Sequence, residues 1–173
     1  MRKIYIILFQ ILNNFDFRYR HRTISNYLDK FRMFCLKKCG AKIGKNSRIG
    51  CNAFILNFEN LSLGDNSSIE KNCEIFNYDL FSVGDNVEIG TQLYVNTSNH
   101  RVENNNLPLA KQGALNKKIT IESDVWIGAR VTILSGAYIS KRVVLGACSV
   151  VVSKLLNSNK VFAGNPAKEI KDL

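Results

Sequence analysis

An aliphatic residue returns every six positions from Ile43 onward. It falls at Ile43, Ile49 and Ile55, resumes after two extra residues at Leu63, Ile69 and Ile75, and resumes again at Val83, Ile89 and Val95. After an interruption it continues through Ile121, Ile127, Ile133, Ile139, Leu145 and Val151. All fifteen positions are Ile, Leu or Val, although those types fill only 46 of 173 positions. The register is therefore a property of the order of residues, not of composition. A period of six fits neither the 3.6-residue helix nor a long two-residue alternation. It fits a coil with flat faces, each made of one short strand and one corner, and three faces close a turn of about 18 residues.

The residue after the aliphatic one is Gly at 44, 50, 64, 84, 90, 128 and 146, which reads as the corner. Four residues after the aliphatic position the side chain is small, as at Ser47, Ala53, Ser67, Cys73, Ala137 and Ser149. Asn-rich corners suit left-handed turns. The expected fold is all-β: a parallel β-helix with coils stacked at about 4.8 Å. A sandwich of short strands has no reason to hold a six-residue register. The chain divides into an extension over residues 1–40, a β-helix over 41–156 and a closing segment over 157–173. Residues 101–118 lack the period and form a loop, of a length that is usually functional.

Charge is uneven. The net charge is +10, with ten Lys/Arg against two acids in residues 1–42, seven against ten in 43–129, and seven against two in 130–173. Basic ends around a slightly acidic middle do not make the continuous stripe of a nucleic-acid binder. They suit a phosphorylated ligand at one end and an anionic surface or partner at the other. Ile4 to Leu12 is too short to span a bilayer. From Ile24 the apolar residues take helical spacing at Ile24, Tyr27, Leu28, Phe31, Phe34 and Cys35. This segment either caps the open end of the coils or rests as a basic amphipathic helix on anionic membrane, and one segment can do both. The five cysteines, at 35, 39, 51, 73 and 148, do not complete a zinc site. They read as reduced thiols of a cytoplasmic protein.

There are two histidines. His21, among Arg20 and Arg22, reads as a solvated surface residue. His100 stands where the repeat gives way to the loop. Asn99-His100, the loop, Ile119-Thr120-Ile121, Asp124-Val125-Trp126-Ile127-Gly128-Ala129, Gly146-Ala147, Ser149-Val150-Val151 and Ala163-Gly164-Asn165-Pro166-Ala167-Lys168 together resemble the hexapeptide-repeat O-acetyltransferases of galactosides, maltose and polysaccharides.

The resemblance covers about residues 40–171. It implies a left-handed prism, acetyl-CoA as acetyl donor, no metal, and a homotrimer with sites between subunits. It implies His100 as general base and a CoA site built from Trp126, Gly128, Ala129, Gly146, Ala147, Lys154, Lys168 and Lys171. Asn77 and Asn99 would meet the acceptor. The family often has its Thr-Lys one residue earlier than Ser153-Lys154, a departure that bears on Lys154. The expected activity is transfer of acetyl to a sugar hydroxyl of a polysaccharide or lipopolysaccharide precursor, with the protein cytoplasmic, peripheral at the membrane through residues 1–40, and without a nucleic-acid partner. Alternatives are an amino-sugar N-acetyltransferase and a non-catalytic β-helix scaffold. A β-helix carbonic anhydrase needs three zinc-binding histidines, and two are present.

Overall fold

A computed structural model of the chain describes residues 2–15, 22–104, 106–155 and 157–173. His21 lies outside the described residues. Two helices, α1 (Arg2–Asn13) and α2 (Arg22–Lys38), precede a solenoid of short parallel strands. Within the coils, successive strands pair not with each other but with the strand one coil away, so three sheets run along the prism. On the first face the stacked column is Ile43, Leu63, Val83, Ile121, Ile139 and Leu155. On the second it is Ile49, Ile69, Ile89, Ile127, Leu145 and Phe162. On the third it is Ile55, Ile75, Val95, Ile133 and Val151. All fifteen residues of the six-residue series point inward, and none is more than 8% exposed.

Corners work differently from the sequence expectation. None of the seven glycines that follow an aliphatic position has a left-handed backbone; that conformation falls two residues later. Asn46, Asn52, Asn66, Asn72, Asn86, Gln92, Asp124, Arg130, Arg142 and Cys148 all have φ between 52° and 61°. Asn tolerates that region best among non-glycine residues, and it fills the early coils. The glycines instead mark where one coil touches the next. A Cβ on Gly64 would lie 2.5 Å from the carbonyl carbon of Gly84, and one on Gly128 would lie 2.6 Å from the Ala147 nitrogen.

The two-residue skips also acquire a place. They lengthen the corner between the third and first faces, at residues 56–60 and 76–80. Asn77 locks this corner. Its Oδ1 accepts from the Asn57 N–H at 2.9 Å and its Nδ2 donates to the Asn57 carbonyl at 2.6 Å. In the next coil the same corner opens into the long excursion. Its neck is closed by the Thr97 carbonyl, which accepts from the Lys117 N–H and the Ser135 hydroxyl, each at 2.8 Å. At the far end the strand Lys160–Ala163 joins the second sheet and Lys168–Asp172 folds back antiparallel to it. Between them, the Gly164 carbonyl and the Ala167 N–H bond the two sides of Val150, in the place of a further coil.

The helices cover the first coil with a face that shares only Cys35, and part of Leu28, with the apolar spacing. Met33, Cys35, Leu36 and Cys39 are buried with Phe9 against Ala41, Ile43 and Phe58. Ile24, Tyr27, Phe31 and Phe34 are exposed. Arg32 is carried inward and pairs with Asp29.

Two substitutions test these roles. Gly64→Ala should destabilise the fold by ~1–3 kcal/mol in chemical denaturation, because a close main-chain contact must open. Asn86→Gly should be tolerated better than Asn86→Ala by ~1 kcal/mol, because only alanine resists the left-handed backbone.

Candidate active site

The excursion is an arm rather than a free loop. Ser98–His100 pairs antiparallel with Ala114–Asn116, with His100 opposite Ala114. The Arg101 N–H donates to the Gly113 carbonyl at 3.1 Å and extends the ribbon. Near the tip, the Gln112 amide accepts from the Asn104 N–H at 3.0 Å. It also donates to the carbonyls of Asn104 and Leu107, at 2.8 and 3.0 Å. With the neck fixed at Thr97, the base of the arm is held to the prism. This is the kind of rigid support a catalytic side chain needs.

His100 is exposed at the base of the arm, and its imidazole makes no hydrogen bond with a described residue. It lines an open cleft of about 390 Å³ with Tyr78, Asn96, Ser98, Asn99, Ala114 and Asn116. The Asn99 side chain accepts from the His100 main-chain N–H at 3.0 Å, and Asn96 accepts from the Ser98 N–H at 2.9 Å. Sequence reasoning passed over Tyr78 and Asn96. Tyr78 sits in the two-residue insertion one coil below, and Asn96 is the last residue of its strand. The signal was the corner they share with the arm, visible only once the skips are assigned to one corner.

Asn77 needs correction as an acceptor ligand. It is fully buried, both ends of its amide bond the Asn57 main chain, and it does not line the cleft. Its neighbour Tyr78 is the residue that reaches the opening. Trp126 is 59% exposed on the second face and lines a different cleft, of about 290 Å³, with Glu88, Asp124, Arg142, Val144 and Leu173. In a single chain His100 and Trp126 therefore do not share a cavity.

Ala129 and Ala147 stack in neighbouring coils at the corner after Trp126, joined where the Cys148 N–H donates to the Ala129 carbonyl at 2.9 Å. Their own N–H groups meet no partner among the described residues. The bareness of Gly128 and Gly146 has a stacking cause, since a Cβ would strike Ala147 or Ala163. Lys168 and Lys171 are exposed on the closing strand of the second sheet. Lys154 is exposed on the first face, opposite Tyr138 of the preceding coil, and is thus set apart from them. Among the described residues no group of three His, Cys, Asp or Glu is placed to hold a metal ion.

The chain matches the family described as a hexapeptide repeat of succinyl-transferase over residues 40–76 and 118–153. Its solved structural relatives share the left-handed β-helix of hexapeptide-repeat acetyltransferases. A galactoside O-acetyltransferase of Lactococcus lactis is 36% identical over 138 residues, 78% of this chain and 64% of that protein. A maltose O-acetyltransferase structure from Clostridium difficile superposes with a TM-score of 0.82 at 25% identity, over 99% of this chain and 86% of the other. A galactoside acetyltransferase in complex with coenzyme A superposes with a TM-score of 0.80 at 26% identity, over 99% and 80%. The chain spans 28% to 64% of the length of the curated relatives it matches.

Thiols give a direct check on the packing. Burial pushes the Cys73 thiol up to about 12, and burial raises Cys35 and Cys39 as well. Cys51 is buried and Cys148 is exposed. A thiol-specific reagent at pH 8 should therefore label one cysteine of the native protein rapidly, Cys148, and all five after denaturation, as read by intact mass and peptide mapping.

Proposed function

We propose that this chain is an acetyl-CoA-dependent O-acetyltransferase acting on a sugar hydroxyl of a glycan. The observation that carries the reading is the placement of His100. It is the only histidine among the described residues, and it stands on a braced arm with its imidazole turned to an open, amide-lined cleft.

Acetyl-CoA supplies the acetyl group as a thioester. A sugar hydroxyl attacks a thioester poorly until a base takes its proton. A neutral imidazole, with an ordinary value near 6.5, suits that task close to neutral pH. His100 takes the hydroxyl proton as the C–O bond forms to the carbonyl carbon. It returns that proton to the sulfur as the C–S bond breaks, leaving an ester and a free thiol. No electrons or further reactants are needed. A main-chain N–H from the coils after the arm, residues 119–151, faces the developing oxyanion. The unpartnered N–H groups of Ala129 and Ala147 suit a ligand made of amides, which can be held along the coil corner. Lys168 and Lys171 supply charge for its phosphates. Lys154, on another face of the prism, serves a more distant phosphate or none. Asn99, Asn96 and Tyr78 offer hydrogen bonds to acceptor hydroxyls.

On this reading two copies complete one site, which accounts for His100 and Trp126 lining separate clefts in one chain. A homotrimer with each site in the groove between prisms gives that arrangement. Trp126 of one copy then walls the thioester beside His100 of the next.

Coenzyme A release from acetyl-CoA, followed with a panel of sugar acceptors, tests the reading. His100→Ala should lower acceptor-dependent kcat by ~100- to 10,000-fold while acetyl-CoA affinity stays within about two-fold. Turnover that survives the substitution would remove His100 as base. Mixed and reassembled His100→Ala and Trp126→Ala chains should recover part of the activity that each lacks alone. Failure to recover any would argue against a site shared between subunits.

A further inference from the structure

The helical cap leaves a second surface unexplained. On α1 the residues Ile4, Ile7 and Ile11 are 53–59% exposed, and on α2 Ile24, Tyr27, Phe31 and Phe34 are 42–69% exposed. Their spacings of three and four make each set a row along one side of its helix. The edge-on contact between Tyr5 and Phe34, 5.8 Å between centroids, ties the two helices together beside these rows. Capping the prism does not require this face, because the burial that joins the helices to the first coil uses the other side.

Exposed lysines accompany the rows. Lys3 stands on α1, and Lys30, Lys37 and Lys38 on α2, with the Lys38 ammonium 5.4 Å from the Phe34 ring centroid. The only carboxylate within either helix, Asp29, is turned inward to Arg32. The outward side is therefore apolar, aromatic and cationic, with no acid among its described residues. Neither helix is long and apolar enough to cross a membrane.

We infer that the outer face of α1 and α2 is a docking surface for an anionic lipid bilayer, lying in its interface with the prism standing away from it. The chemistry fits one occupant. A row of large apolar and aromatic side chains inserts at headgroup depth, where ring edges are favoured. Lysines bordering that row meet anionic headgroups, each adding to the attraction. A second copy docked face to face would set the same lysines against each other. The two contributions are complementary: the apolar row alone gives partitioning without selectivity, and the cations alone give weak, salt-sensitive adsorption. The inference concerns the cap and is independent of the chemistry proposed for His100.

The test is flotation of the full chain with vesicles of phosphatidylcholine alone and of phosphatidylcholine containing one-third phosphatidylglycerol. Binding should be at least ten-fold stronger to the anionic vesicles and should weaken with added salt. Phe31→Asp and Ile7→Asp should each lose ten-fold or more, and Lys30→Glu and Lys37→Glu about five-fold each. Circular dichroism and sedimentation show whether each variant keeps its fold and assembly, which exposed positions should allow. Absence of flotation with anionic vesicles overturns the inference. So does Phe31→Asp that changes the assembly state and leaves flotation intact, which would make the face a subunit contact.

Discussion

Every coil of this protein rests on the main chain of the next with no spare room. The seven glycines after the aliphatic positions sit at these contacts, and a Cβ at Gly44 would come within 2.4 Å of Gly64. Side chains project either into the prism or away from it, so the stack is held by strand hydrogen bonds and by columns of Ile, Leu and Val inside. A change in one coil is therefore felt by its neighbours, as expected where each repeat buries its face only against the next. The close stacking also leaves the corners as the only places where the chain can depart from the repeat.

The proposed site follows from the corner between the third and first faces. It is relaxed in the first two coils by two residues each and held by Asn57, Asn60 and Asn77. In the third coil the same corner releases the arm that carries His100. A rigid prism with one permissive corner can gain a site without disturbing its core, because the insertion alters neither the inward columns nor the stacking contacts. The neck bonds to Thr97 return the chain to its register, with Ile119 set opposite Phe81.

Much of the architecture was readable because a six-residue aliphatic register has one geometric solution, and each of its fifteen members is buried. The arm was also readable, as a break in the period at His100. Other features misled. Glycine was read as the turning residue, although its role is clearance and the turn belongs to Asn66 and its equivalents. The helical spacing of Ile24, Tyr27, Phe31 and Phe34 marked a face, but nothing in one strand of sequence says whether an apolar face meets protein or lipid. Asn77 and Tyr78 are adjacent, and their exchange of roles depends on which one the corner turns inward.

Sequence by itself determined the three-faced coil, its register, the position of the arm and the charge of the two ends. Those are local or periodic properties, fixed by residue order and by the geometry of strands and corners. Tertiary structure alone decided which side of each helix packs on the first coil. It also decided that His100 and Trp126 open onto different clefts and that Lys154 stands apart from Lys168 and Lys171. These depend on contacts between residues far apart in the chain, where packing and desolvation, not periodicity, select among faces that sequence leaves equivalent.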